Sequence, residues 1–267
     1  MSFTNSTSAL VTKGKKACYD ISRSLNSVNC YDLTVFTKLF DSKVQPILSY
    51  ASELWGMEDL PNIEQVHTLS LKRFLNLSVH SSNTLLYGDT GRYPLHINNN
   101  MRCIKYWFKL LGMSPERLAR QAYDMLFKMD ENGTRNWVTD VRMLLCANGF
   151  GYVWLFKSVG NLTSFYKMFK ERLCDNFKQN WRSRLLESDN FSFYSSFKSS
   201  IVKELFLSDK IFERHLRNAL IRFRLGVSQI HCHMYKFNRN NNLLICPICH
   251  VENKDECQFC SFVNFNI

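Results

Sequence analysis

Apolar side chains recur every three or four residues along most of this chain, and almost nowhere every second residue. A spacing near 3.6 gathers them on one face of a helix, whereas alternation would mark strands. Residues 9–27 read as a first helix, with Lys13, Lys15 and Lys16 near its start. A longer run over 31–55 keeps Leu33, Phe36, Phe40, Val44, Leu48 and Leu54 in phase. Pro46 falls inside that run and has no backbone donor, which predicts a kink or a split. Leu60–Leu77 predicts a third helix starting near Pro61. Ile63, Val66, Phe74 and Leu77 share its apolar face, and Lys72 points the opposite way.

The stretch VHSSNTLLYGDTGRYP reads as a loop or short helix, with two glycines and a proline. Ile97, Met101, Ile104, Phe108 and Leu111 then mark a helix that Gly112 ends. MSPER predicts the next start, with Ser114 as N-cap and Pro115 at the first helical position. A further helix over about 136–148 stops at Gly149. Over 162–187, Phe165, Phe169, Leu173, Phe177 and Trp181 fall at every fourth position. Such a stripe drifts about 40° per step and wraps a wide core-facing surface. Ser208 predicts the cap of a last helix over about 209–225. Phe212, Leu216, Ala219, Leu220 and Phe223 form its expected buried face, with Lys210, Arg214, Arg217 and Arg224 in roughly an 80° sector elsewhere. The NRNNN run that follows reads as a polar linker.

Composition adds to this picture. Of 267 residues, 45% are hydrophobic and 14% aromatic, far above a disordered chain, and only ten glycines and five prolines interrupt the periodic runs. The expected class is mainly α, a multi-helix bundle-like array closed by a small C-terminal cysteine knuckle. Residues 1–80, 81–240 and 241–267 are its expected segments. A formal net charge of +11 favours a polyanionic partner, and a basic surface with no specific partner is its plain alternative. The start is too polar for a secretory signal and no run is long enough to span a membrane, so a cytoplasmic or nuclear protein with free thiols is expected. Cys18, Cys103, Cys146 and Cys174, single within helical runs, read as core fillers.

One sequence of motifs is familiar. LFDSKVQPILSYASELWG, from Leu39 to Gly56, resembles the thumb region of reverse transcriptases from non-LTR (LINE, jockey-like) retrotransposons. VHTLSLKRFLNLS, LYGDTGRYPL, RCIKYWFKLL, NALIRFRLGVSQIHCHMYKF and a closing CPIC follow in the family's order. Each phrase alone is a weak signal and their succession a strong one. The resemblance implies a thumb-like segment over 1–80, a helical post-thumb region over 81–240, and contact with RNA or DNA. It also implies a palm domain with paired catalytic aspartates holding two metal ions. No Asp-Asp pair occurs here, and Met1 aligns just after the family's palm, so a catalytically incomplete C-terminal portion is expected.

Three groups of residues carry candidate chemistry. Cys246, Cys249, Cys257 and Cys260 form two Cys-x-x-Cys pairs separated by seven residues, a spacing that suits a tetrahedral zinc site. The family closes instead with Cys-Pro-x-Cys, Glu-x-His-Phe and a later Cys. Gln258 stands in the histidine's place and Val263 near that of the last cysteine, which leaves a repaired zinc site or a set of stray thiols, with His231, His233 and His250 nearby. Lys210, Arg214, Arg217 and Arg224, and the thumb-like Lys13, Lys15, Lys16, Lys72 and Arg73, are expected to track a phosphate backbone; an ordinary solvated helix face is the alternative. Two further readings stay open: a helical module that binds protein, and a translated relic of a mobile element without function. No small-molecule substrate is implied, because no Walker loop, dinucleotide fingerprint or Ser-His-Asp order is present.

Overall fold

The protein is represented by a computed structural model that describes residues 4–58, 60–208 and 212–227. It is mainly α, with no strand among the described residues. Helix α1 covers Thr4–Ser27 and α2 Leu33–Leu39. The long run then splits at the proline as its chemistry demands. Pro46 offers no N–H, so the turn before it widens to a π-helical stretch, Phe40–Val44, in which the Gln45 N–H reaches back to the Phe40 carbonyl. Helix α3, Gln45–Leu48, ends at a break where Ala51 takes the left-handed conformation (φ 54°), and α4, Ser52–Trp55, follows.

Helix α5 covers Pro61–Phe74, α6 Asn83–Thr90 and α7 Leu95–Leu111. Glu64 serves two neighbours: one carboxylate oxygen lies 2.7 Å from His67 Nδ1, and the other accepts from the Leu95 N–H at 2.7 Å, satisfying a donor at the start of α7. Helix α8, Leu118–Glu131, starts later than MSPER predicts. Ser114 is instead the first residue of a turn closed by its carbonyl and the Arg117 N–H at 3.1 Å. Extended backbone at Arg117 then separates Pro115 from the helix.

Helix α9, Trp137–Ala147, opens on a capping box. Asn136 Oδ1 accepts from the Val138 N–H at 2.8 Å, and Thr139 Oγ1 accepts from the Asn136 N–H at 3.0 Å. Gly149, at φ 83°, gives the left-handed exit that the sequence predicts there. A short α10, Gly151–Phe156, precedes α11, Leu162–Glu187; α12, Ser192–Phe197, and α13, Arg214–Arg224, complete the order.

The residues gather into two compact units that are discontinuous in sequence. The first takes Met1–Asp20, Leu39–His67 and Tyr93–Gln179; the second takes Ile21–Lys38, Thr68–Arg92 and Asn180–Ile267. Within the first unit, Trp107, Val138, Val141, Leu145, Val153 and Phe169 have no exposed surface. Aromatic rings interlock there: Trp107 stacks on Trp154 at 5.6 Å, and Phe150 meets Phe165 edge-on at 5.5 Å. Gly14 lets α1 approach the Leu48 side chain, which a Cβ at that position would meet at 2.5 Å.

The second unit carries a buried charge network at its centre. Asp89 is fully buried and accepts from Tyr194 Oη at 2.7 Å and from two guanidinium nitrogens of Arg224 at 2.8 Å each. Arg224 also pairs with Glu204 at 3.1 Å, and Lys198 pairs with the same carboxylate. Burial, reinforced by the Asp89 charge, raises the Tyr194 phenol far above its ordinary range. Burial alone would lower the Arg224 pKa; hydrogen bonding and attraction to Asp89 outweigh that, and the guanidinium is held more firmly protonated. Gly88 has a close neighbour in the Tyr194 hydroxyl and leaves no room for a Cβ.

Candidate nucleic-acid interface

The expected phosphate-contacting residues fall into three sets once the helices are in place. Lys13, Lys15 and Lys16 are exposed, and none makes an ion pair among the described residues. They sit in the middle of a 24-residue helix whose other side is fixed by the buried Gly14 and Cys18, so the helix displays their ammonium groups to water. Arg73 is exposed near the end of α5.

Lys72 corrects the face assigned from sequence. It is 5% exposed, and its Nζ donates to the Val79 carbonyl at 2.9 Å. Burial lowers its pKa from the ordinary lysine value. The apolar pattern placed it opposite Ile63 and Val66, but Leu71 and Leu75, beside it in sequence, are buried too, and the covered arc of α5 is wide enough to include position 72.

Helix α13 lies with the opposite face inward from the one its pattern predicts. Leu216 is 49% exposed, Phe212 39%, and Ala219 is also exposed, while Arg217, Ile221 and Leu225 are buried. The arginines are what the second unit grips. Arg217 donates to the Tyr31 carbonyl, and Arg214 stacks its guanidinium over the Tyr31 ring at 3.9 Å. Arg222 brackets the Asn76 carbonyl with bonds of 3.0 and 2.8 Å, and Arg224 makes the bidentate pair with Asp89. A guanidinium is buried readily where carbonyls and a carboxylate meet its fork. Arg217 and Arg224 are therefore internal fasteners of this unit. Lys210 lies outside the described residues, as do Cys246, Cys249, Cys257, Cys260, His231, His233 and His250, and with them the zinc site.

The remaining cysteines divide. Cys18 and Cys103 are buried, and burial pushes the Cys103 thiol up to about 12, with its Sγ–H bonded to the Ser52 carbonyl at 3.2 Å. Cys174 is half-buried, and Cys146 is exposed rather than a core filler.

A second basic surface escapes a reading of the sequence by periodicity. Lys167, Lys170 and Lys178 of α11 border a shallow depression of about 550 Å³ with Tyr93, Glu171 and Asp175. Their offsets of three and eleven residues place the lysines within an arc of roughly 80°, a signal that the aromatic stripe on the same helix masks. Asp175 holds Lys178 at 3.0 Å, and Tyr93 meets Phe177 edge-on at 5.8 Å. Burial raises the Tyr93 phenol pKa against the opposing influence of Lys178.

Comparison of the chain with protein-family models, with curated proteins and with solved structures finds no match. No helix among the described residues is long and apolar enough to cross a membrane. No group of three or more metal-binding side chains occurs among them.

Proposed function

We propose that the protein binds nucleic acid through solvated lysines. In this reading it corresponds to the thumb and post-thumb portion of a non-LTR retrotransposon reverse transcriptase and performs no nucleotidyl transfer itself. The observation that carries the binding is the Lys13, Lys15, Lys16 cluster: three exposed cations, without ion pairs among the described residues, within just over one helical turn. Unpaired surface ammonium groups attract phosphates without a prior partner to break, and the counterions they displace drive association. The ordered succession of family-like motifs supports the kind of polyanion, and the absence of an Asp-Asp pair supports the lack of polymerase chemistry.

The test is the salt dependence of RNA and DNA binding by fluorescence anisotropy. Replacing Lys13, Lys15 and Lys16 together with Gln should reduce the log–log salt slope by about 0.7 to 0.9 for each phosphate that is no longer neutralised. Arg73→Gln should have a smaller effect. An unchanged slope returns α1 to an ordinary solvated face. The zinc reading is a separate proposal at sequence level: Cys246, Cys249, Cys257 and Cys260 would supply four thiolates to one ion. One zinc per chain after dialysis, absent from a Cys257→Ser, Cys260→Ser variant, is the expected result.

A further inference from the structure

Helix α8 carries more apolar surface than its own unit covers. On one flank it is held by Tyr123, whose hydroxyl accepts from Trp107 Nε1 at 3.3 Å, and by Phe127, whose ring lies 5.9 Å from Trp154. Arg120 fixes the same flank by donating to the Leu110 and Leu111 carbonyls at 3.2 and 2.7 Å, closing the C-terminal end of α7. Leu118, Ala122, Met125 and Met129 lie on a different flank, within an arc of roughly 60°. All four are exposed: Leu118 by 82%, Met125 by 57% and Met129 by 38%, with Ala122 between them. An open cavity of about 630 Å³ runs alongside, walled by Leu54, Tyr106, Leu126 and Trp137, and Leu54 is itself 45% exposed. Isolated surface leucines are ordinary, but a contiguous apolar stripe beside an apolar groove marks an interaction surface.

The spacing of the stripe, four then three then four, is that of a coiled-coil seam, and it specifies a helix as the occupant. We propose that the occupant is α8 of a second copy, packed antiparallel about a two-fold axis between positions 122 and 125. Size complementarity supports this choice. In that register Leu118 meets Met129 of the second copy, and Ala122 meets its Met125. Every layer then joins unlike side chains, and the two alanine layers beside the axis let the helices approach closely. A parallel pair would set alanine on alanine between two methionine layers and leave a void.

Charge supports the same register. The N-terminal end of α8 carries Arg117 and Arg120 against Glu116, and the C-terminal end carries Asp130 and Glu131 against Lys128. Head-to-tail packing brings these opposite net charges, and the opposite ends of the helix dipoles, together. Because one two-fold operation satisfies both size and charge, the interface is isologous and closes at two copies. The stripe is short of the roughly 800 Å² per partner of a stable interface until the groove wall around Leu54 and Trp137 joins it, so dimerisation should be reversible.

The full chain, followed by light scattering or sedimentation from about 1 to 100 μM, should pass from one-chain to two-chain mass. Met125→Glu should remain monomeric across that range while keeping the parent's circular dichroism and thermal midpoint, since the side chain is solvent-exposed in the single copy. Ala122→Lys should also be monomeric, and mixing it with Met125→Glu should restore two-chain mass, because the antiparallel register places positions 122 and 125 opposite each other. A parent chain that stays monomeric throughout overturns the proposal. A dimer indifferent to Met125→Glu, or a mixture that does not associate, overturns it equally.

Discussion

A lysine ammonium deprived of water favours its neutral form, and that is the situation of Lys72. Its Nζ donates to the Val79 carbonyl, and burial lowers its pKa below the ordinary 10.5. Between that lowered value and 10.5 the unfolded chain holds the proton more tightly than the folded one, so stability rises with pH across the window. Below the window both states are charged and the full penalty applies. Lys72→Met, which keeps the length and removes the charge, should therefore gain most over the parent at neutral pH, and the gain should shrink as pH approaches 10.5. Chemical denaturation at several pH values measures this, and a gain independent of pH would contradict it. The same scale governs Asp89, which faces Arg224 and Tyr194 with no exposure of its own. Asp89→Asn leaves the Arg224 charge buried without its counter-ion and should cost about 3 to 5 kcal/mol of unfolding free energy. If the pair acts as a unit, adding Arg224→Leu to Asp89→Asn should cost less than the sum of the two single changes.

At the scale of the element, the chain's local chemistry and its buried surface do not always agree. The bounds of α11 coincide with the aromatic run over 162–187, because four-residue spacing of Phe165, Phe169 and Leu173 has no rival period. The break around Pro46 and the exit at Gly149 were legible for the same reason: a missing donor and a left-handed turn are properties of single residues. What could not be read was which face of α13 the second unit would take. Its partners are the Tyr31 and Asn76 carbonyls and the Asp89 carboxylate, brought near by chain distant in sequence, and carbonyls leave no mark in a sequence. Ile221 and Leu225 were the available hint, four residues apart on the arginine side. Of the candidate interface, the α1 lysines were legible, the α11 lysines were hidden behind an aromatic stripe, and Lys72 needed tertiary packing to be placed. Helix α9 offers a local test, since its entry rests on Asn136 accepting from Val138 while also donating to the Leu126 carbonyl at 2.9 Å. Asn136→Ala should lower stability by about 0.5 to 2 kcal/mol, and Asn136→Asp, which keeps the acceptor, by less.

For the whole molecule, the two units are each assembled from three separate stretches, and α1, α5 and α11 contribute residues to both. A linear division such as 1–80 and 81–267 consequently separates groups that are buried within one unit. In the first unit, Phe40, Val44 and Val66 fall on one side of that division, and Trp107, Val138 and Phe169 on the other. In the second, Phe36 and Leu71 part from Asp89, Tyr194 and Ile221, and Arg217 parts from the Tyr31 carbonyl it holds. Neither piece can bury its apolar surface or satisfy its guanidinium groups with its own residues. Expressed alone, each should show helical circular dichroism, since the local periodicity survives, but should unfold without a cooperative transition and bind a hydrophobic dye. Mixed in equal amounts, the two should regain a cooperative transition and release the dye. A sharp, reversible transition in either piece alone would mean that the sequence-contiguous segments fold independently, and that the interleaving of the two units is not what stabilises them.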